Sequence, residues 1–135
     1  MTAPDTAMLD RLAAECARLV AADHGRRLDG SLASLVDLDE VCLALLADGP
    51  LAEDRLRLWW RLVGAYTGRV LVQVYGGTWI DHEGGLAVEV SGVKAFPFST
   101  AHRVLSGEEG KSLASFGRAL PVIIDRQSRA SETPD

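Results

Sequence analysis

The residues able to do chemistry are few and scattered along the chain. Asp81-His82-Glu83 is the one local cluster of metal-ligating types. A metal site needs three or four such groups converging on one point, and consecutive turn residues project in different directions. The triplet reads as a solvated turn, which His102 would join only if the C-terminal helices fold over it. Ser99 and His102 stand three apart, the spacing of a nucleophile and its base on one helical turn. No orienting acid or oxyanion hole accompanies them, so Ser99 reads as a helix cap. Cys16 and Cys42 fall on apolar faces of expected helices, without the C-x-x-C spacing of a metal or redox site, and read as buried free thiols. His24, beside Gly25, suits a helix C-terminus, where a positive charge is favoured. Gly76-Gly77 and Gly84-Gly85 fit neither Walker nor Rossmann spacing and read as turns. No catalytic residue, metal or cofactor is expected, and the chain reads as a non-enzyme.

Recognition chemistry has better candidates. Trp59 and Trp60 are adjacent, so on a helix they point about 100° apart; one can be core while the other lies at its boundary. Arginines 55, 57 and 61 surround the pair. Trp and Arg are enriched among residues that carry binding energy, which makes Trp60, Arg57 and Arg61 the candidate protein interface. Tyr66, Arg69, Trp79 and Asp81 are candidates for lining a ligand pocket.

The elements that must position these groups follow from periodicity. Leu9, Leu12, Cys16, Leu19 and Val20 recur at helical spacing, predicting a helix over 6–24 that Asp5 or Thr6 caps and Gly25 ends. Ser34 with Asp37, and Asp37 with Glu40, have capping-box spacing, predicting a second helix over 37–47 that Asp48-Gly49-Pro50 stops. From Leu51 or Ala52 a stripe through Leu56, Trp59, Val63, Thr67, Val70 and Val74 keeps its 3.6 phase. It favours one long helix over a break near Gly64 followed by a strand at 69–75, although that segment is rich in β-branched residues. Gly64 and Gly68 lie on one face of that helix. Glycine in a helix interior costs about 1 kcal/mol relative to Ala, so the pair implies close packing against a neighbour.

The period then changes. Residues 78–81, 86–90 and 93–96 read as a small antiparallel meander, with turns at His82–Gly85 and Ser91-Gly92. The candidate pocket of Tyr66, Arg69, Trp79 and Asp81 would lie between it and the long helix. Pro97 closes the meander, a short helix covers 100–105, and the Ser106/Glu109 pair opens a last helix to about Leu120. Pro121 to Ile124 reads as an edge segment, and 126–135 as a polar, disordered tail. The expected fold is a single α+β domain over 1–125, with a helical N-terminal half, a long central helix, a two- or three-stranded meander and C-terminal helices.

Composition agrees. The chain has 135 residues, 47% hydrophobic and 24% charged, which is globular and enough for a core. Its formal net charge of −5 argues against a nucleic-acid or anionic-membrane surface. Met1 to Asp5 lacks the pattern of a signal peptide, and no apolar run approaches a spanning helix, so a cytoplasmic location is expected.

The order of these features resembles a group of uncharacterised, mainly actinobacterial proteins. Their pattern is Leu-Asp-x-Ser-x-x-Ser-Leu, then Gly-x-Tyr-x-Gly-Glu-Val on a helix, then Gly-Gly-x-Trp, a strand pair and a proline-led helix. The matching residues are Leu28, Asp29, Ser31, Ser34 and Leu35; Gly64, Tyr66, Gly68 and Val70; and Gly76, Gly77, Trp79 and Pro97. Arg69 stands where the pattern has Glu. The resemblance implies a compact α+β domain and no established activity. Taken together, the sequence points to a protein-interaction domain (an adaptor, accessory subunit or immunity-type inhibitor) with a protein partner and room for a homo-oligomer. The alternative is a small-molecule binding module.

Overall fold

The computed structural model describes residues 4–132. Five helices and three strands follow in the order α1 (Thr6–His24), α2 (Leu32–Leu45), α3 (Glu53–Tyr75), β1 (Thr78–His82), β2 (Gly85–Val90), β3 (Val93–Ala95), α4 (Pro97–Leu105) and α5 (Leu113–Glu132). This is the expected α+β architecture. Among the described residues no helix is long and apolar enough to cross a membrane.

Helix α3 is the axis of the fold. Every residue from Leu62 to Gly68 is buried, so the helix is enclosed on all sides rather than along one stripe. Helix α1 packs along one flank, α4 along another, and the sheet, α2 and α5 cover the rest. The helical phase therefore holds through Tyr75, and the β-branched run 70–74 is helical, its local preference overridden by packing. The two glycines explain the tightness. A Cβ at Gly64 would collide with the Phe98 ring, and one at Gly68 with the Trp79 indole. Those two rings touch each other, 5.9 Å between centroids.

The strands form an antiparallel meander, β1-β2-β3. Trp79 pairs with Val88 and Val88 with Ala95, so one buried row crosses the sheet. Its turns, Glu83-Gly84 and Ser91-Gly92, each place two residues at positive φ. That is the conformation tight two-residue hairpins require, and glycine at the second position supplies it without strain.

The boundaries differ from expectation chiefly at α2, α4 and α5, with α2 also ending at Leu45 and not at 47. Helix α2 begins at Leu32, because Ser31 rather than Ser34 or Asp37 is its cap: the Ser31 Oγ accepts from the Ser34 amide at 3.2 Å. Helix α4 begins at Pro97, whose fixed φ and missing N–H suit a first helical position, leaving Ser99 within the first turn instead of capping it. Ser106 ends α4, its amide bonded to the His102 carbonyl at 2.9 Å, so the last helix starts only at Leu113. It then runs past Leu120 to Glu132. Pro121 lies inside it, where an edge segment was expected, and 126–132 are helical where the composition suggested a disordered tail; residues 133–135 fall outside the described chain.

Two long-range contacts hold α5. The Asp39 carboxylate of α2 accepts from the Leu113 and Ala114 amides at 2.7 and 3.1 Å, and from the Ser112 hydroxyl at 3.1 Å. It caps a helix more than seventy residues away and places negative charge at its positive end. At Pro121 the helix loses the N–H that would reach the Gly117 carbonyl. The Tyr75 hydroxyl donates to that carbonyl instead, at 2.9 Å.

Candidate functional site around Trp60

Trp59 and Trp60 separate as adjacent helical residues must. Trp59 is buried, with His24 edge-on to its ring at 6.1 Å. Trp60 is half-buried, with His102 edge-on at 5.5 Å. Its indole N–H donates to the Phe98 carbonyl at 2.7 Å, which satisfies its polar end and leaves apolar surface facing outward.

That surface is one wall of an open groove of about 410 Å³ between α1, α3 and the β1–β2 hairpin. Leu12 and Met8 come from α1, Phe98 from α4, and Leu86 with Gly84-Gly85 from the hairpin. Arg57 and Arg61, one helical turn apart and both exposed, complete it. Arg57 pairs with Glu53 at 3.3 Å, both ends in solvent; the Arg61 guanidinium has no hydrogen-bond or ion-pair partner among the described residues. The three candidate interface residues thus line one feature. Met8, Phe98, Leu86 and the hairpin glycines were not foreseen, because they join the groove from elements far away in sequence.

Of the four candidate pocket residues, Arg69 and Trp79 share a cavity of about 220 Å³ between α1, α3 and the start of β1, and Tyr66 and Asp81 do not join them there. Tyr66 lies two positions from Gly68, about 200° around the helix, so it faces the 28–34 segment and not the meander. Its hydroxyl accepts from the Gly30 amide at 2.9 Å and lies 2.6 Å from the Ser34 Oγ. The Ser34 proton goes to the Ser31 carbonyl at 2.6 Å, so Tyr66 is the donor to Ser34. Burial raises the Tyr66 pKa, opposed by the hydrogen bond its oxygen accepts from the Gly30 amide. Arg69 pairs with Asp10 at 3.0 Å. With Tyr66 it lines a different cavity of about 380 Å³, between α1, α3 and residues 27–30. Trp79 is buried on Gly68. Asp81 sits exposed at the hairpin, its Oδ1 accepting from the Gly84 amide at 3.2 Å.

The candidate chemical groups are likewise dispersed. His82 and Glu83 approach only to 4.0 Å, with the His82 ring beside Phe96. His102 is on α4 against Trp60, and no hydrogen bond joins it to Ser99. Among the described residues no three His, Cys, Asp or Glu side chains gather to hold a metal. Cys16 and Cys42 are buried free thiols. Burial pushes the Cys16 pKa up to about 12, and Cys42 moves the same way, by burial first and the nearby Asp39 charge second. A thiol so held is not a nucleophile.

The residues of the Leu-Asp-x-Ser-x-x-Ser-Leu and Gly-x-Tyr-x-Gly motifs, with Pro97, serve architecture. Asp29, Ser31 and Ser34 make the α2 cap, Gly64 and Gly68 seat rings, and Pro97 opens α4. None of them lines the Trp60 groove. No protein-family model matches the chain, and no curated protein and no solved structure matches it.

Proposed function

We propose that this protein is a non-enzymatic interaction domain, of the adaptor, accessory or inhibitor kind, and that it holds a protein partner in the Trp60 groove. The observation that carries this reading is the groove itself: open, of about 410 Å³, and lined by apolar side chains plus two arginines. Aromatic and arginine anchors at the centre of an apolar patch are the usual composition of binding hot spots. Met8, 36% exposed, presents apolar surface to solvent in the groove wall. The net charge of −5 weighs against nucleic acid as the partner.

Affinity capture of the tagged full chain tests this when paired with variants. A stoichiometric partner should be retained by wild type and by Asp81→Ala, and lost by Met8→Asp, which sets a charge on the groove wall at an exposed site. A partner retained equally by Met8→Asp and Trp60→Asp, with both variants folded, would remove the groove from consideration.

The second reading is a small-molecule module. It is favoured by one observation, that Tyr66 and Arg69 share the cavity between α1, α3 and residues 27–30. Arg69→Ala would then abolish ligand-induced thermal stabilisation and leave protein capture intact.

A further inference from the structure

We propose that the Trp60 groove takes an acidic amphipathic segment of the partner, with apolar side chains against Trp60, Leu12 and Leu86 and carboxylates on Arg57 and Arg61. The inference rests on the reading of the groove as a protein-binding surface and adds the chemistry of what enters it. Charge carries it. Among the described residues that line the groove, the only charged side chains are the two guanidiniums. The single other donor, the Trp60 N–H, is already given to the Phe98 carbonyl. An occupant therefore meets an apolar floor and a cationic edge, with no carboxylate in the lining to receive a basic group.

The neighbouring acids do not cancel that edge. Glu53 holds Arg57 only through a solvent-exposed pair at 3.3 Å, an interaction a partner's carboxylate exchanges at little cost. Glu83, on the hairpin tip, is 4.0 Å from His82 and is not part of the lining. Arg57 and Arg61 stand at i and i+4 on α3, so their side chains leave the helix about 6 Å apart. Two acidic residues on one face of a bound segment match that spacing, and a neutral or basic amphipathic segment would leave both arginines facing apolar groups or like charge. The rest of the molecule is net acidic, which steers the acidic segment toward this edge and away from other faces.

Selection of random peptides displayed on phage against the purified full chain tests the proposal. The expected result is a consensus that combines Asp or Glu with Leu or aromatic residues. Its synthetic peptide should bind about tenfold or more weakly to Arg57→Glu/Arg61→Glu, and more weakly as salt rises. Met8→Asp should abolish binding, and circular dichroism should show both variants folded. A consensus that lacks acids, or an affinity indifferent to the arginine reversal, while Met8→Asp still abolishes binding, overturns the acidic partner and leaves the groove as a binding surface. Binding insensitive to Met8→Asp, or no enriched peptide, overturns both.

Discussion

Gly68 shows how one missing carbon decides the packing of the core. By helix propensity alone, Gly68→Ala would gain about 1 kcal/mol. The structure opposes this, because the new methyl would occupy the space of the buried Trp79 indole, whose own neighbours include Phe98 and Val88. Overpacking a filled core costs about 1–3 kcal/mol, so steric conflict outweighs propensity. Gly68→Ala is expected to lower the urea midpoint, and adding Trp79→Phe should recover part of the loss by freeing that space. Gly68→Ala as stable as wild type would mean that the indole has room to move. The flaw in reading Tyr66 and Trp79 as one pocket belongs to the same scale. Both are aromatic and close in sequence, but the helical phase sends Tyr66 to the Ser34 hydroxyl and gives Gly68 to Trp79.

Among the elements, α5 departs most from its local signals. A proline in a helix interior costs about 3 kcal/mol or more through a lost hydrogen bond and a clash, and the β-branched Val122, Ile123 and Ile124 follow it before the polar stretch; the sequence accordingly reads as a helix ending near Leu120. The helix continues because α3 supplies the missing donor, Tyr75 to the Gly117 carbonyl, while Asp39 of α2 fixes its start. This predicts a coupling. Tyr75→Phe leaves the Gly117 carbonyl without that donor, a loss of about 1–2 kcal/mol. In a Pro121→Ala background the backbone amide restored at that position reaches the same carbonyl, and Tyr75→Phe should then cost distinctly less. A double-mutant cycle read from urea unfolding measures the difference; equal costs in the two backgrounds would show that the tyrosine does not substitute for the proline's missing donor.

At the scale of the whole molecule, buried acids set the alkaline limit of stability. Cys16 on α1 and Cys42 on α2 are enclosed by the same core, and burial raises both pKa values from the ordinary 9.0, Cys16 to about 12. Tyr66 is raised from 10.0 in the same direction. In each case the folded chain keeps a proton that the unfolded chain has released, so stability is full below pH 9 and falls as pH climbs from there toward 12. Urea midpoints measured near neutrality and at about pH 10 should differ by more for wild type than for Cys16→Ala/Cys42→Ala. Parallel curves would place the thiols in contact with water. The Trp60 groove is likewise a property of the whole: α1, α3, α4 and the hairpin each contribute a wall, and none forms a binding surface alone.

Whatever depends on neighbours a few residues away was legible along the chain. Helical phase gave α1 and the unbroken α3, Gly-containing pairs gave the hairpin turns, and the short β-branched runs between them gave the meander; the crowding of Trp60 by arginines was visible as a local cluster. Contacts between distant segments were not legible there and emerge with the folded core. Asp39 looks like an ordinary helical aspartate until Leu113 is folded against it, and the continuation of α5 depends on a tyrosine on another helix. The same holds for the groove, whose far wall is Met8, Leu86 and Phe98. Local signals register backbone preference and burial period, which act within a few turns. Which side chain satisfies a distant amide, and which apolar faces are left uncovered, is fixed only when the core has closed.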